Sequence, residues 1–213
     1  MNIINKFLFF VVICLAAALL EVVSASSSLL NKYKPPPSAK TYTLYQNTKT
    51  KELKFYEHPF LPTSTTTSSG NTNMIMKPVC EISHTIGRNI TGWNYLALSP
   101  EATLLKADPN SAYYFAGYSE GYWTAEDISN MHYNANPQID NNTQKWLDEH
   151  VDFLKNDLLS NETLVREYPA LALGGFRFYK FVEGMTDGFN AASEQQKNGN
   201  KINYKEMFLR KVK

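Results

Sequence analysis

Residues 113–134 read YYFAGYSEGYWTAEDISNMHYN, and the conformation of this stretch decides the fold. Its aromatic residues surround Gly117 and Gly121, four positions apart, with a single carboxylate, Glu120, between them. Read as a strand and turn, Gly117-Tyr118-Ser119-Glu120-Gly121 is the G-x-S-x-G elbow of serine esterases, in which a strained corner exposes the serine hydroxyl. Read as a helix, the same residues form a packing surface and Ser119 has no chemical role. The flanks favour the helix. Asp108 can accept hydrogen bonds from the free N–H groups of a first turn, and Pro109 fits the first helical position without losing a bond. A helix from 109 to about 123 puts both glycines on one face. Each glycine costs a helix about 1 kcal/mol relative to alanine, so the pair predicts that another backbone approaches closely there. Thr124-Ala125-Glu126-Asp127 has the pattern of a capping box with Asp in the last place, predicting a second helix to about residue 133. Asn136-Pro137 ends it. An elbow needs a buried strand before its serine, usually rich in β-branched residues, and Ser111-Ala112-Tyr113-Tyr114-Phe115-Ala116 contains none.

Upstream of the decisive stretch the pattern is of strands. Two β-type runs, 41–45 and 53–56, flank Asn47-Thr48-Lys49-Thr50-Lys51 and predict a hairpin. Residues 62–73, PTSTTTSSGNTN, are polar and of low complexity, as in an exposed loop that could carry O-linked sugar. Strands resume over 74–86 and 93–99. Downstream the period changes to that of helices: Leu147, Val151, Leu154 and Leu158 form one stripe over 143–159. A further helix is predicted over 164–196, broken at Tyr168-Pro169 and loosened at Gly174-Gly175, with Phe178, Val182, Met185 and Phe189 as a second stripe. Strands followed by helices predict an α+β layered fold.

The 213 residues suffice for one domain with a sizeable core. Lys and Arg number 21 against 20 Asp and Glu, so no net field attracts nucleic acid or an anionic membrane. Lys6, the apolar run 7–20 and the small residues Val23-Ser24-Ala25 predict a signal peptide over 1–25. Pro35-Pro36-Pro37 marks 26–40 as an extended leader. Three N-x-[ST] sequons, at Asn89, Asn141 and Asn161, are candidate glycosylation sites and fit an exported, secreted or lysosomal chain. Cys14 departs with the signal, leaving Cys80 in a β-type run as a buried, inert thiol, with a reactive or intermolecular role as the alternative. His58, His84, His132 and His150 are scattered, and none forms H-E-x-x-H. No metal site and no cofactor is expected.

Thr91-Gly92-Trp93, Ala116-Gly117, Glu120-Gly121-Tyr122, Thr124-Ala125, Asn134 and Pro137-Gln138 together resemble the phospholipase B-like family, whose pattern is T-G-W followed by A-G-x-x-E-G-Y-x-T-A. The resemblance extends from about residue 42 to the last residue. It implies an αββα sandwich similar to N-terminal nucleophile hydrolases, in a secreted or lysosomal glycoprotein precursor that cleaves itself to expose a cysteine nucleophile. The implied activity is hydrolysis of acyl esters of glycerophospholipids, or of amides. The resemblance places that cysteine in a strand later than any here, and Cys80, ahead of the T-G-W strand, does not correspond to it. No catalytic residue therefore carries over. Residues 41–213 are expected to be the N-terminal portion of such a domain, with a complementary C-terminal chain as partner, or a truncated or inactive member. On that expectation part of the second layer comes from elsewhere, and the two apolar stripes lack partners.

Two other functions compete. A serine esterase would use Ser119, with Asp127, Asp140 or Asp148 as acid and His132 or His150 as base, in the chain order of α/β-hydrolases. A secreted binding protein would present its aromatic helices to a partner or lipid. Glu120, among Tyr118, Tyr122 and Trp123, is either a pocket group or a hydrogen-bonded brace between helix and sheet.

Overall fold

The structure is a computed structural model and describes residues 39–58, 76–85, 96–135, 140–195 and 201–211. The signal peptide, nearly all of the leader, the polar loop, Thr91-Gly92-Trp93 and Asn89 lie outside the described residues.

The predicted hairpin is present as β1 (Lys40–Asn47) and β2 (Leu53–Glu57). Its turn is held by the Asn47 side chain, whose oxygen accepts from the backbone N–H of Lys49 at 2.9 Å and Thr50 at 3.1 Å. Lys51 completes the reversal with φ of 63°. β3 (Met76–His84) and β4 (Leu96–Pro100) follow. The four strands form one antiparallel sheet in the order β2-β1-β3-β4. A register shift opposite Leu44 and Tyr45 leaves Val79 as an extra residue on β3. Bulges of this kind sharpen a sheet's twist.

A two-turn helix that sequence reading did not anticipate, α1 (Ala102–Ala107), comes next. Glu101 starts it by accepting from the N–H groups of Thr103 and Leu104, at 2.8 and 2.9 Å. Then α2 (Pro109–Trp123) occupies the span expected for it. Asp108 caps it, accepting from Ser111 N–H at 3.1 Å and the Ser111 hydroxyl at 2.5 Å. These bonds hold the Asp108 carboxyl below its ordinary range. Asp108→Ala is expected to cost about 1 kcal/mol in urea unfolding at neutral pH. Because the shift is downward, the stabilisation exists above the ordinary carboxylate value and is lost as pH falls through the lowered one. The variant's deficit should therefore shrink in acid.

The next helix, α3 (Ala125–Ala135), is present, but it does not begin with a capping box. The Thr124 hydroxyl donates backwards, to the carbonyl of Glu120 at 2.7 Å. Thr124 is the C-cap of α2, and its hydroxyl and backbone N–H both donate to the Glu120 carbonyl. α4 (Asn141–Asp152) starts at Asp140, whose carboxylate accepts from Asn142 and Thr143 N–H. It runs into a π-helical turn, Phe153–Asp157, closed by Leu158 N–H to the Phe153 carbonyl at 2.8 Å. α5 (Glu162–Glu167) and α6 (Pro169–Gln195) are separated at Tyr168-Pro169, as predicted, and α7 (Tyr204–Lys211) closes the described chain.

Gly174-Gly175 does not loosen α6, which continues through it. A Cβ on Gly175 would lie 2.8 Å from Leu158 Cδ2, so this glycine is a socket for the π-turn's leucine. The two apolar stripes also find partners, contrary to expectation. Leu147, Leu154 and Leu158 are buried with Val182, Met185 and Phe189 of α6, Ile128 of α3 and Met207 of α7 in a single core. A second core lies between sheet and helices, where Leu44, Cys80 and Ile82 meet Leu104 of α1 and Ala112 and Phe115 of α2. The architecture is thus a mixed α/β one, with α1 and α2 against the sheet and α3, α4 and α7 sharing a core with α6.

Candidate functional site

α2 has three distinct environments, and they define what its residues can do chemically. Along the face turned to α6, Gly117 and Gly121 meet main chain: an added Cβ would lie 1.9 Å from the Phe181 carbonyl oxygen and 2.0 Å from that of Met185. Gly184 and Gly188 of α6 reciprocate, at 2.0 Å from the carbonyl oxygens of Tyr114 and Tyr118. The contact positions rise together along both helices, so α2 and α6 run in the same direction. The close approach inferred from Gly117 and Gly121 is therefore present, and the partner pair could have been found by its identical four-residue spacing.

The second environment is the sheet-facing side around Ser119. Ser119 is fully buried, and its hydroxyl donates to the Phe115 carbonyl at 2.9 Å. On β3 the thiol of Cys80, free and 1% exposed, donates to the Glu81 carbonyl at 3.6 Å. Burial pushes that thiol up to about 12, with the neighbouring Ser119 and Ser99 offsetting only part of the effect. A thiol so held carries almost no thiolate at neutral pH, so Cys80 is the inert core residue the sequence suggested.

A serine nucleophile requires an exposed hydroxyl with a base in hydrogen-bond reach, and this one has neither. Asp140 caps α4, Asp148 is bonded to Gln144 at 2.9 Å and paired with Lys205, and Asp127 lies on α3. His150 stacks on Trp146, with centroids 3.9 Å apart, and its Nδ1 bonds the Trp146 carbonyl. The side chain of His132 lies outside the described residues. None of these bonds leads to Ser119. Ser119→Ala is accordingly expected to leave any acyl-ester hydrolysis by the chain unchanged; a loss of turnover at unchanged stability would restore the elbow reading.

The third environment is aromatic. At the C-terminal end of α2, Trp123 packs on Tyr42 at 4.4 Å between centroids, on Phe55 at 5.5 Å and on His84 at 5.3 Å. Tyr122 and Tyr118 add contacts to Phe55 at 4.6 and 6.2 Å. This wedge joins the last turns of α2 to the sheet, with Tyr42, Phe55, Tyr118, Tyr122 and Trp123 each partly buried. His84 is 8% exposed, and burial holds its imidazole below the ordinary value. Its Nδ1 and the Trp123 Nε1 have no hydrogen-bond partner among the described residues. Glu120 is half-buried on α2.

A polar group that sequence reading missed lies across the α2–α6 seam. The Tyr114 hydroxyl donates to Asp187 at 2.9 Å. One turn earlier Glu183 accepts from Tyr179 at 3.0 Å and from Lys180 at 2.7 Å. Asp187 is a solvent-exposed residue; partial loss of water around its carboxyl, aided by the neighbouring Glu183, holds it above the usual carboxylate range despite the bond from Tyr114. The same desolvation pushes Tyr118 up to about 12.

Of the glycosylation candidates, Asn141 is the exposed first residue of α4 and Asn161 the exposed N-cap of α5. Among the described residues no group of three His, Cys, Asp or Glu could hold a metal. His58 is occupied by Thr43, its Nε2 lying 2.7 Å from that hydroxyl. Nor is any described helix long and apolar enough to cross a membrane.

The fold and its helical body thus define a layered α/β domain built around a glycine-packed helix pair. The family model described as Phospholipase B matches residues 83–212, which is more than half of the chain and runs from the end of β3 through α7. The chain belongs to the phospholipase B family. No curated protein matches it.

Proposed function

We propose that this chain acts in the hydrolysis of acyl esters of glycerophospholipids as the scaffold layer of a phospholipase B-type enzyme, with its nucleophile supplied by a complementary polypeptide. The observation that carries this reading is the pairing of a family match over the helical body with the state of the two nucleophile candidates beneath α2. Ser119 is sealed in the core and Cys80 is held as a thiol. Acyl transfer needs an activated nucleophile beside a base, and neither residue is placed for it. An αββα sandwich of the N-terminal nucleophile type fits this division, the four-stranded sheet being one of its inner layers.

The test is acyl release from mixed phosphatidylcholine micelles. The mature chain alone should release no fatty acid above a heat-denatured control. Co-expression with a polypeptide carrying the family's cysteine-bearing segment should yield a co-purifying complex that does. Sustained turnover by the isolated chain would overturn the non-catalytic assignment.

Export and glycosylation belong to the same proposal, with residues 1–25 as signal and a secreted or lysosomal destination. Asn161 supports it: its side-chain oxygen accepts from Leu164 N–H at 2.9 Å. The amide nitrogen, to which a sugar would attach, has no bond among the described residues. Expression in a secretory host followed by peptide N-glycosidase should shift the mass of the chain, and Asn141→Gln with Asn161→Gln should reduce the shift. An unshifted mass would remove the glycoprotein assignment.

A further inference from the structure

We propose that the apolar flank of α5 is the seat of a sugar chain carried by Asn161, so that the glycan packs on the domain instead of projecting freely from it. The inference rests on the export and glycosylation reading above and assigns the attached sugar a surface. Among the described residues the exposed large apolar side chains, Leu105 apart, all fall between positions 159 and 173: Leu159, Val165, Tyr168 and Leu173. α5 lies in the middle of that stretch. None of its residues is buried, and Leu164 is the one that packs on the main core.

Helical geometry turns part of this patch into a line. Residues 161, 165 and 168 are spaced i, i+4 and i+7, so they fall on one side of α5 within about 60° of each other. Asn161 heads the line and Val165 follows one turn on. Tyr168, 56% exposed, ends it, about 10 Å along the axis. The charged residues Glu162, Arg166 and Glu167 fall outside it.

The cap holds the attachment point at the head of the line. Asn161 Oδ1 accepts from Leu164 N–H at 2.9 Å, which fixes the amide and leaves Nδ2, the atom that carries a sugar, outside the cap. A glycosylated amide keeps its carbonyl oxygen as an acceptor, so capping and glycosylation are compatible. The C–H face of a pyranose and the methyl of its acetamido group are apolar. A phenol ring offers them a flat partner while its hydroxyl stays at the wet edge.

Asn141 supplies the contrast. The same offsets from it lead to Lys145 and Asp148, which are paired with Glu149 and Lys205. A glycan there has no apolar line to follow.

Hydroxyl-radical footprinting of the chain as secreted, with occupancy of Asn161 read by mass, is the test. Its comparison is Thr163→Ala, which removes the sequon at an exposed position and keeps the Asn161 cap. Tyr168 and Val165 should label severalfold more in Thr163→Ala, whereas Leu105 on α1 should label equally. Asn141→Gln should change neither. Urea unfolding separates packing from shadowing. Loss of the glycan through Thr163→Ala should lower the midpoint, and the same loss in a Tyr168→Ser background should lower it less. Equal labelling with Asn161 occupied, or an equal midpoint loss in both backgrounds, would overturn the inference and leave the glycoprotein reading intact. An unoccupied Asn161 overturns the inference together with that reading at this position. Protection of Tyr168 in the glycosylated chain that appears only at high protein concentration would assign the patch to a second copy and overturn the inference as well.

Discussion

Gly117→Ala is expected to destabilise the protein by about 3 kcal/mol or more, the upper range for overpacking, seen as a lowered urea midpoint at constant slope. The added Cβ would meet the Phe181 carbonyl oxygen at 1.9 Å, its carbon at 2.8 Å and the Met185 nitrogen at 3.1 Å. All three are main-chain atoms, so no rotamer change relieves the overlap. The helices must separate, and separation also removes the contacts of Gly121, Gly184 and Gly188 and stretches the Tyr114–Asp187 bond. A domain of this size is stable by only about 5 to 15 kcal/mol, so a large fraction of the folded population is at stake. The double variant Gly117→Ala with Gly184→Ala should cost clearly less than the two singles together, because one separation accommodates both methyl groups. Gly175→Ala is the control. Its nearest obstacle is a leucine methyl, and the gain in helix propensity of about 1 kcal/mol offsets part of the strain.

Phe189→Ala is the second large effect, expected at about 3 to 5 kcal/mol. Phe189 is 1% exposed and is among the largest fully buried side chains. It lies where α6 meets residues from α3, α4 and α7. Truncation leaves a cavity whose walls belong to separate helices, and none can collapse inward without losing its other contacts. Leu173→Ala, on the same helix but 42% exposed, should change stability by no more than about 0.5 kcal/mol. Equal effects from the two variants would mean that the core of this protein does not close on α6.

The comparison of the two glycine pairs explains how far the sequence could be read. Asp108-Pro109 and the Asn47 turn are local devices, complete within four residues, and they placed α2 and the hairpin. Gly117 and Gly121 announced a close neighbour but could not name it, because the identity of the neighbour depends on where residues 184 and 188 lie in space. Gly174-Gly175 misled for the same reason: glycine as a flexible joint and glycine as a socket look alike until Leu158 is in position. Thr124 had the right residue type for a cap, and its hydroxyl turned to the preceding helix because α3 follows α2 with no intervening loop. Asp187 gave no signal of its partner, since it is an exposed acid on a helix and the bond it accepts comes from Tyr114, 73 residues away. Of the family motif, Gly117 and Gly121 lie in the seam and Tyr122 in the wedge, while Gly92 and Trp93 lie outside the described residues.

The parallel direction of α2 and α6 constrains how the chain reaches its native state. Two helices side by side and pointing the same way cannot be joined by a short turn, so α3, α4 and α5 form the return path. The seam therefore belongs among the late, long-range contacts, and its closure should govern the folding rate. The equilibrium is far less sensitive, since doubling the length of a flexible connection costs only about 0.6 kcal/mol. Insertions between α3 and α4, or in the turn before α5, should accordingly slow assembly while leaving the finished domain nearly as stable.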